Sequence, residues 1–222
     1  LRPTPALETF RTPAGGSDPL TVTNLFERPF FGKDGVRLAE LPDRPQHVFL
    51  CASLRYITAA HRWMADRLRE ETLAQDITFL LEAVHPDKGA ADADDLLKRI
   101  TECLGREEVF LTQGLGYFAD KSKRFPNAIF GIGYDVAEKL VDPTNGRRLG
   151  DLAELKRNGA TFYVFGRRKR DEGTGHRTLR TLADLRRTIP TEYQDLFRAM
   201  DGESPDLSST EARAALDPPK KA

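Results

Sequence analysis

The sequence predicts an α/β fold: a doubly wound, mostly parallel five-stranded sheet with helices on both faces, preceded by an N-terminal extension. Three observations predict it. From about His47 onward, short apolar runs of strand length alternate with longer amphipathic runs, five times over. Turn and cap signals fall between these runs rather than inside them. The chain has 222 residues, 39% apolar and 31% charged, which is enough for a sizeable core under a heavily charged surface.

Residues 1–19, LRPTPALETFRTPAGGSDP, are rich in Pro, Gly and Thr and read as a linker or loosely docked arm. In LTVTNLFERPFFGKDGVRLAEL, the turn Lys33-Asp34-Gly35 separates two short strand-like runs, so a hairpin is expected. QHVFLCAS is a continuous apolar run, the pattern of a buried parallel strand. In TAAHRWMADRLREE, Ala60, Trp63, Met64 and Leu68 recur at helical spacing while Arg62, Asp66, Arg67 and Glu70 can face water. Trp63 is read as core of this helix rather than as a platform for a base.

The pattern then repeats. DITFLLEAV is the second strand, and DADDLLKRITECL a helix whose first turn carries acids, where the helix dipole favours them. REEVFLTQ is the third strand, and YFADKSKRF a helix-like connection closed by Pro126. NAIFGIGYD is the fourth strand. VAEKLVDP and LGDLAELKRNG are helices, the latter stopped at Asn158-Gly159. ATFYVFGRR is the fifth strand. RRKRDEGTGHR, Arg167 to Arg177, reads as a mobile charged loop, Leu179–Met200 as a final helical segment, and DPPKKA as a disordered tail. The domain reading is an arm and hairpin over 1–45, an α/β domain over 46–217 and a tail over 218–222.

Composition excludes several function classes. Lys and Arg number 34, Asp and Glu 34, so no global field draws the chain to DNA or to an acidic membrane. No apolar run approaches the roughly 20 residues of a membrane span. Cys51 and Cys103 are far apart with no Cys-x-x-Cys, which argues against a disulfide framework or a zinc knuckle. With no signal-peptide pattern at its start, the chain is expected in the reducing cytoplasm. It opens on Leu1 rather than Met, as a processed or excised piece would. His85 lacks a partner at metal-ligand spacing, so no protein-held metal site is expected.

Ligands of such a sheet sit outside the carboxyl ends of its strands. Those ends are Cys51–Ser53, Val84–Lys88, Leu111–Gln113, Gly131–Asp135 and Phe165–Arg168. Near the C-terminus, DLSSTEARAAL offers the hydroxyls of Ser208, Ser209 and Thr210 with Arg213 one turn on. Those residues suit a helix cap, and equally a phosphate site built on a helix N-terminus.

Taken together, FLCASLRYITAAHRW, FPNAIFGIGYDVAEKLVDP, FYVFGRR and LSSTEARAAL resemble the nucleotidylyltransferase superfamily, in its nicotinamide-mononucleotide adenylyltransferase-like branch, over about residues 47–216. The family motif is Gly-Ser/Thr-Phe-Asn/Asp-Pro followed by His/Thr-x-Gly-His. In ASLRYITAAH, Ser53 keeps the hydroxyl, Thr58 takes the first position of the second element, and His61 keeps its final histidine. Ala52, Arg55, Tyr56 and Ala60 depart from the motif, and Ala60 adds a Cβ where a glycine lets a triphosphate come close.

The resemblance implies Mg-ATP as substrate with Mg²⁺ as cofactor, adenylyl transfer to a small phosphorylated acceptor, a nicotinamide-type mononucleotide for instance, and release of pyrophosphate. Nucleic acid and membrane are not implied as partners, and the oligomeric state is left open. His61 and Thr58 would face the reacting phosphates, with Ser53 beside them. Gly133 and Asp135 would contact base and ribose, and Ser208, Ser209, Thr210 and Arg213 the β- and γ-phosphates. Lys88 and Lys121 would meet the acceptor phosphate from loops at the same edge. Each has a plainer alternative: a surface acid after a strand for Asp135, solvated amines for the lysines. Arg167 and Arg168 either reach the nucleotide or belong to a charged loop with no ligand. The departures from the motif keep open a catalytically weakened nucleotide-binding relative acting as sensor or scaffold, and an α/β domain with no nucleotide site stands as a third reading.

Overall fold

The fold is described by a computed structural model for residues 9–11, 17–19, 25–34, 36–51, 57–85, 89–90, 92–103, 105–170, 173 and 175–202. In chain order the elements are β1 Thr9–Arg11, β2 Ser17–Pro19, β3 Phe30–Phe31, β4 Arg37–Leu38, β5 Val48–Cys51, α1 Ala59–Thr72, β6 Thr78–Glu82, β7 Val84–His85 and β8 Gly89–Ala90. Then come α2 Ala93–Cys103, β9 Glu108–Thr112, α3 Phe118–Arg124, β10 Ile129–Gly133, α4 Tyr134–Val141, α5 Arg148–Arg157 and β11 Thr161–Phe165. The last are β12 Arg167–Arg170, β13 Arg177–Arg180, α6 Leu182–Leu185, a 3₁₀ turn Thr191–Leu196 and β14 Phe197–Met200.

The main sheet has eight strands among the described residues, in the order β14-β11-β10-β5-β6-β9-β3-β4. All pairings from β14 to β9 are parallel, and β3 joins β9 antiparallel. The five strands expected from apolar runs are all present. The expected hairpin also forms, with Phe30 opposite Leu38, and it closes one edge of this sheet. Numbered along the chain, the six parallel strands lie in the order 3-2-1-4-5-6, with direction reversing between β5 and β10.

Two segments correct the sequence reading. Leu179–Met200 is not one helix. Only Leu182–Leu185 is α-helical, Pro190 separates it from the 3₁₀ turn, and Phe197–Met200 pairs with β11 as a sixth parallel strand. The reason is tertiary: the open edge of β11 offers backbone partners, and Phe197 stacks on Phe162 with ring centroids 5.3 Å apart. The charged run after β11 is not an irregular loop either. Arg167 faces Arg180 and Arg170 faces Arg177 in an antiparallel ribbon.

Strand alternation divides the core between the two faces of the sheet. Val48 and Leu50 join a cluster with α1 and α2, while Phe49 and Cys51 join one with α3, α4 and α5. Across the second face an aromatic row runs in register through Phe49, Phe130, Phe162 and Phe197, with centroid spacings of 5.8, 5.5 and 5.3 Å. Such cross-strand aromatic pairs each add roughly 0.5–1.5 kcal/mol beyond burial. On the other face α1 lies so close to β10 that a Cβ at Gly131 would collide with Leu68. Trp63 packs edge-on against Phe165 at 5.5 Å, as expected of a core residue.

Candidate functional site: the crevice between β5 and β10

In a sheet of this order a ligand is expected where the strand order reverses, at the carboxyl ends of β5 and β10, whose following helices pack on opposite faces. Helix α1 begins on the β5 side. Thr58 is the N-cap, extended at φ −95° and ψ 165°, and His61 is the third helical residue. Together they form a reciprocal capping box. The His61 backbone N–H donates to Thr58 Oγ1 at 3.4 Å, and the Thr58 backbone N–H donates to His61 Nδ1 at 3.1 Å. Thr58 Oγ1 lies 3.0 Å from the same ring nitrogen.

This cap sets the chemistry of the imidazole. A backbone N–H can only donate, so Nδ1 must accept, and the neutral ring carries its proton on Nε2. The cap therefore makes Nε2 a donor, on the far side of the ring from the backbone. Thr58 itself is buried, with its hydroxyl inside the cap. Glu102 steadies the chain just before it by accepting from the Ile57 N–H at 3.3 Å.

Gly133 ends β10 and caps α4 on the other side of the crevice. Among the described residues a Cβ there would meet nothing within 4 Å, in contrast to Gly131 two residues earlier. Asp135, in the first turn of α4, is already engaged. It pairs with Arg167 and, at 3.2 Å, with Lys169 of the β12–β13 ribbon, while Lys169 also reaches Glu138 at 2.5 Å. A ribose could use this carboxylate only by sharing it with the ribbon or displacing it. Sequence reading treated Arg167 and Asp135 separately, and their 32-residue separation gave no sign of the pairing.

Lys121 is a correction. It lies on α3 rather than on a loop, with 6% of its surface exposed. Its ammonium donates to the Leu115 carbonyl and sits 5.2 Å from the centre of the Phe118 ring. Burial pushes its pKa down, and Cys51, Glu82 and Asp120 pull it partly back. Beside it, Glu82 accepts from Thr112 Oγ1 at 2.8 Å and from the Gly114 N–H at 2.9 Å, tying the loop after β9 to the end of β6. Thr112 falls within the expected end of the third strand, whereas Glu82 was not expected at this edge. Cys51 is no nucleophile, since burial pushes its thiol up to about 12.

Ser53, Lys88, Ser208, Ser209, Thr210 and Arg213 lie outside the described residues, as do Ala52, Arg55 and Tyr56. Among the described residues no group of three or more His, Cys, Asp or Glu side chains could hold a metal ion, and no helix is long and apolar enough to cross a membrane. The acids nearest the crevice have their oxygens engaged, Asp135 by cations and Glu82 by the loop. A magnesium ion carried by a triphosphate needs no such protein cage.

No protein-family model matches the chain, and no curated protein does. Among solved structures it is similar to the Plasmodium falciparum nicotinic acid mononucleotide adenylyltransferase complexed with NaAD, at 16% identity and a TM-score of 0.48, over 80% of this chain and 87% of that one. The same enzyme complexed with APC is similar at 14% identity and a TM-score of 0.42, over 76% of this chain and 82% of that one.

Proposed function

We propose that the chain binds Mg-ATP at the β5–β10 crevice and transfers its adenylyl group to a small phosphorylated acceptor, such as a nicotinamide-type mononucleotide, with release of pyrophosphate. The observation that carries this reading is the capped start of α1. The cap fixes His61 Nδ1 as an acceptor at a helix N-terminus, at the sheet end where a doubly wound fold takes its ligand.

In the proposed step an acceptor phosphate oxygen bonds to the α-phosphorus. The bond from that phosphorus to the bridging oxygen breaks, and pyrophosphate leaves with the electron pair. No covalent enzyme intermediate is needed, so the protein's contribution is positioning and fixed donors. His61 Nε2–H donates to a phosphoryl oxygen as charge grows there, and Thr58 holds the ring in place. Gly133 leaves room for the nucleoside. Ser53 and the outer-phosphate group Ser208, Ser209, Thr210 and Arg213 keep the roles that the family resemblance implies, and Lys88 is assigned to the acceptor. When bound, Mg²⁺ supplies charge neutralisation on the phosphates.

A second reading is a nucleotide-binding relative that no longer turns over. The capture of Asp135 by Arg167 and Lys169, with the burial of Lys121, favours it. One experiment separates the two. Protein, Mg²⁺ and ATP or CTP are incubated with a panel of mononucleotides and sugar or pantetheine phosphates, and pyrophosphate is measured. Release that requires one acceptor and drops at least about a hundredfold in His61→Ala, by more than ATP affinity drops, establishes the enzyme. ATP binding without release moves the assignment to the sensor.

A further inference from the structure

We infer that the arginine-lined depression between the start of α5 and the turn after α6 is a binding site for a small, multiply charged phosphate anion, separate from the β5–β10 crevice. The depression has a volume of about 650 Å³, and Arg148, Arg186, Arg187, Thr188, Thr191 and Gln194 line it. No carboxylate is among its lining residues. In a chain with equal numbers of acids and bases, three guanidiniums around one hollow are a local departure from balance.

The backbone beneath the arginines is tied down. Gln194 Nε2 donates to the Arg186 and Ile189 carbonyls at 3.2 and 3.3 Å, and the Thr188 hydroxyl donates to the Leu185 carbonyl at 2.7 Å. Arg148 Nη1 donates to the carbonyls of Val141 at 3.2 Å and Thr188 at 3.5 Å, which orients the guanidinium plane. Arg186 and Arg187 are exposed and form no ion pair among the described residues. Among the nearby acids Asp142 also acts electrostatically on Arg148, and three carboxylates are held by other groups. Asp142 accepts from the Thr144 N–H and hydroxyl at 2.8 Å, Asp195 pairs with Lys156 at 3.1 Å, and Asp184 accepts from the Thr181 N–H at 2.7 Å.

The chemistry selects the ligand class. Guanidinium forks match the paired oxygens of phosphate, and three of them around one hollow suit an anion with several such pairs. Like charges held together repel, and a bound polyanion relieves that repulsion. The hydroxyls of Thr188 and Thr191 add donors at the rim. An open, polar hollow favours a hydrated anion over an apolar ligand.

The probe is inorganic pyrophosphate, titrated into the full chain while backbone amide NMR signals are followed. Saturable shifts are expected at Thr188, Thr191 and Gln194. The double variant Arg186→Gln/Arg187→Gln should weaken the binding read at those three amides at least about tenfold. The inference is overturned by absence of shifts at those amides, by equal affinity in the double variant, or by shifts confined to His61 and Gly133. Inorganic phosphate binding as tightly as pyrophosphate would overturn the assignment to a multiply charged ligand. These outcomes do not depend on whether the crevice turns over a nucleotide.

Discussion

The two ends of the sheet treat their polar groups in opposite ways. At the amino end, Glu108 takes both Arg44 guanidinium nitrogens at 2.7 and 2.6 Å and the Thr78 hydroxyl at 2.9 Å, and Asp76 pairs with Lys33 at 2.5 Å. His47 packs between Phe49 and Phe125, and burial pushes its pKa down. Glu108, Arg44, Thr78, Asp76 and Lys33 satisfy one another and pin the hairpin side of the sheet, while His47 Nδ1 is buried without a hydrogen-bond partner among the described residues. At the carboxyl end, α1 starts with an imidazole whose remaining nitrogen is a donor, and β10 ends in open space. At the amino end charged groups are paired within the fold, and at the carboxyl end the α1 cap and the end of β10 stand where a sheet of this strand order takes a ligand.

That contrast can be broken most severely at Glu108. Glu108→Ala would leave Arg44 and Thr78 without their shared acceptor, and the cost should be about 3 kcal/mol, read as a lower urea midpoint. Nucleotide affinity should hold, since the crevice is at the other end. A loss of nucleotide binding in protein that is still folded would show that the two ends are coupled.

Gly133→Leu tests the opposite end. No neighbour lies within 4 Å of a Cβ there, and φ is −74°, so stability should change by less than about 1 kcal/mol. The rise in melting temperature caused by millimolar ATP should disappear, because the side chain fills the crevice. If the rise persists, the nucleotide sits elsewhere.

Lys121 gives a pH signature for the carboxyl end. Its folded pKa lies below its unfolded value near 10.4. Between the two values the unfolded chain holds more protons, so stability rises with pH through that window. The burial penalty is fully present below the folded pKa and gone above the unfolded one. Lys121→Met should abolish this rise, and urea midpoints measured from neutral pH to about pH 10 would show it as a difference between the two proteins. Parallel curves would mean that the amine is solvated.

The smallest effect is expected at Arg167. Its pair with Asp135 is partly exposed, so Arg167→Ala should cost no more than about 1 kcal/mol. If the ribbon competes with ribose for Asp135, the same variant should tighten nucleotide binding. Weaker binding would instead place Arg167 against the nucleotide.

Much of the scaffold was legible in the sequence because its signals are local. An apolar run such as VFLC has to be buried on both sides, and the stop at Asn158-Gly159 is met by a positive φ of 68° at the glycine. The turn at Lys33 to Gly35 likewise led to its hairpin. At the site, Thr58 and His61 stand three residues apart, so their neighbourhood on α1 could be read from spacing.

The rest was decided in space. Phe197–Met200 became a strand because β11 presented an unpaired edge, and a four-residue run carries too little periodicity to announce that. The in-register row from Phe49 to Phe197 depends on the order of four strands that lie far apart in sequence. Lys121 reads as a surface residue in YFADKSKRF, yet α3 turns it inward beneath the strand ends. The sequence by itself determined the five apolar strands and the helices between them, through period, caps and turns acting over a few residues. Tertiary structure decided which charges far apart in sequence meet, because Coulomb and hydrogen-bond energies depend on distance in space, and Asp135 and Arg167 come together only once β10 and β11 pair.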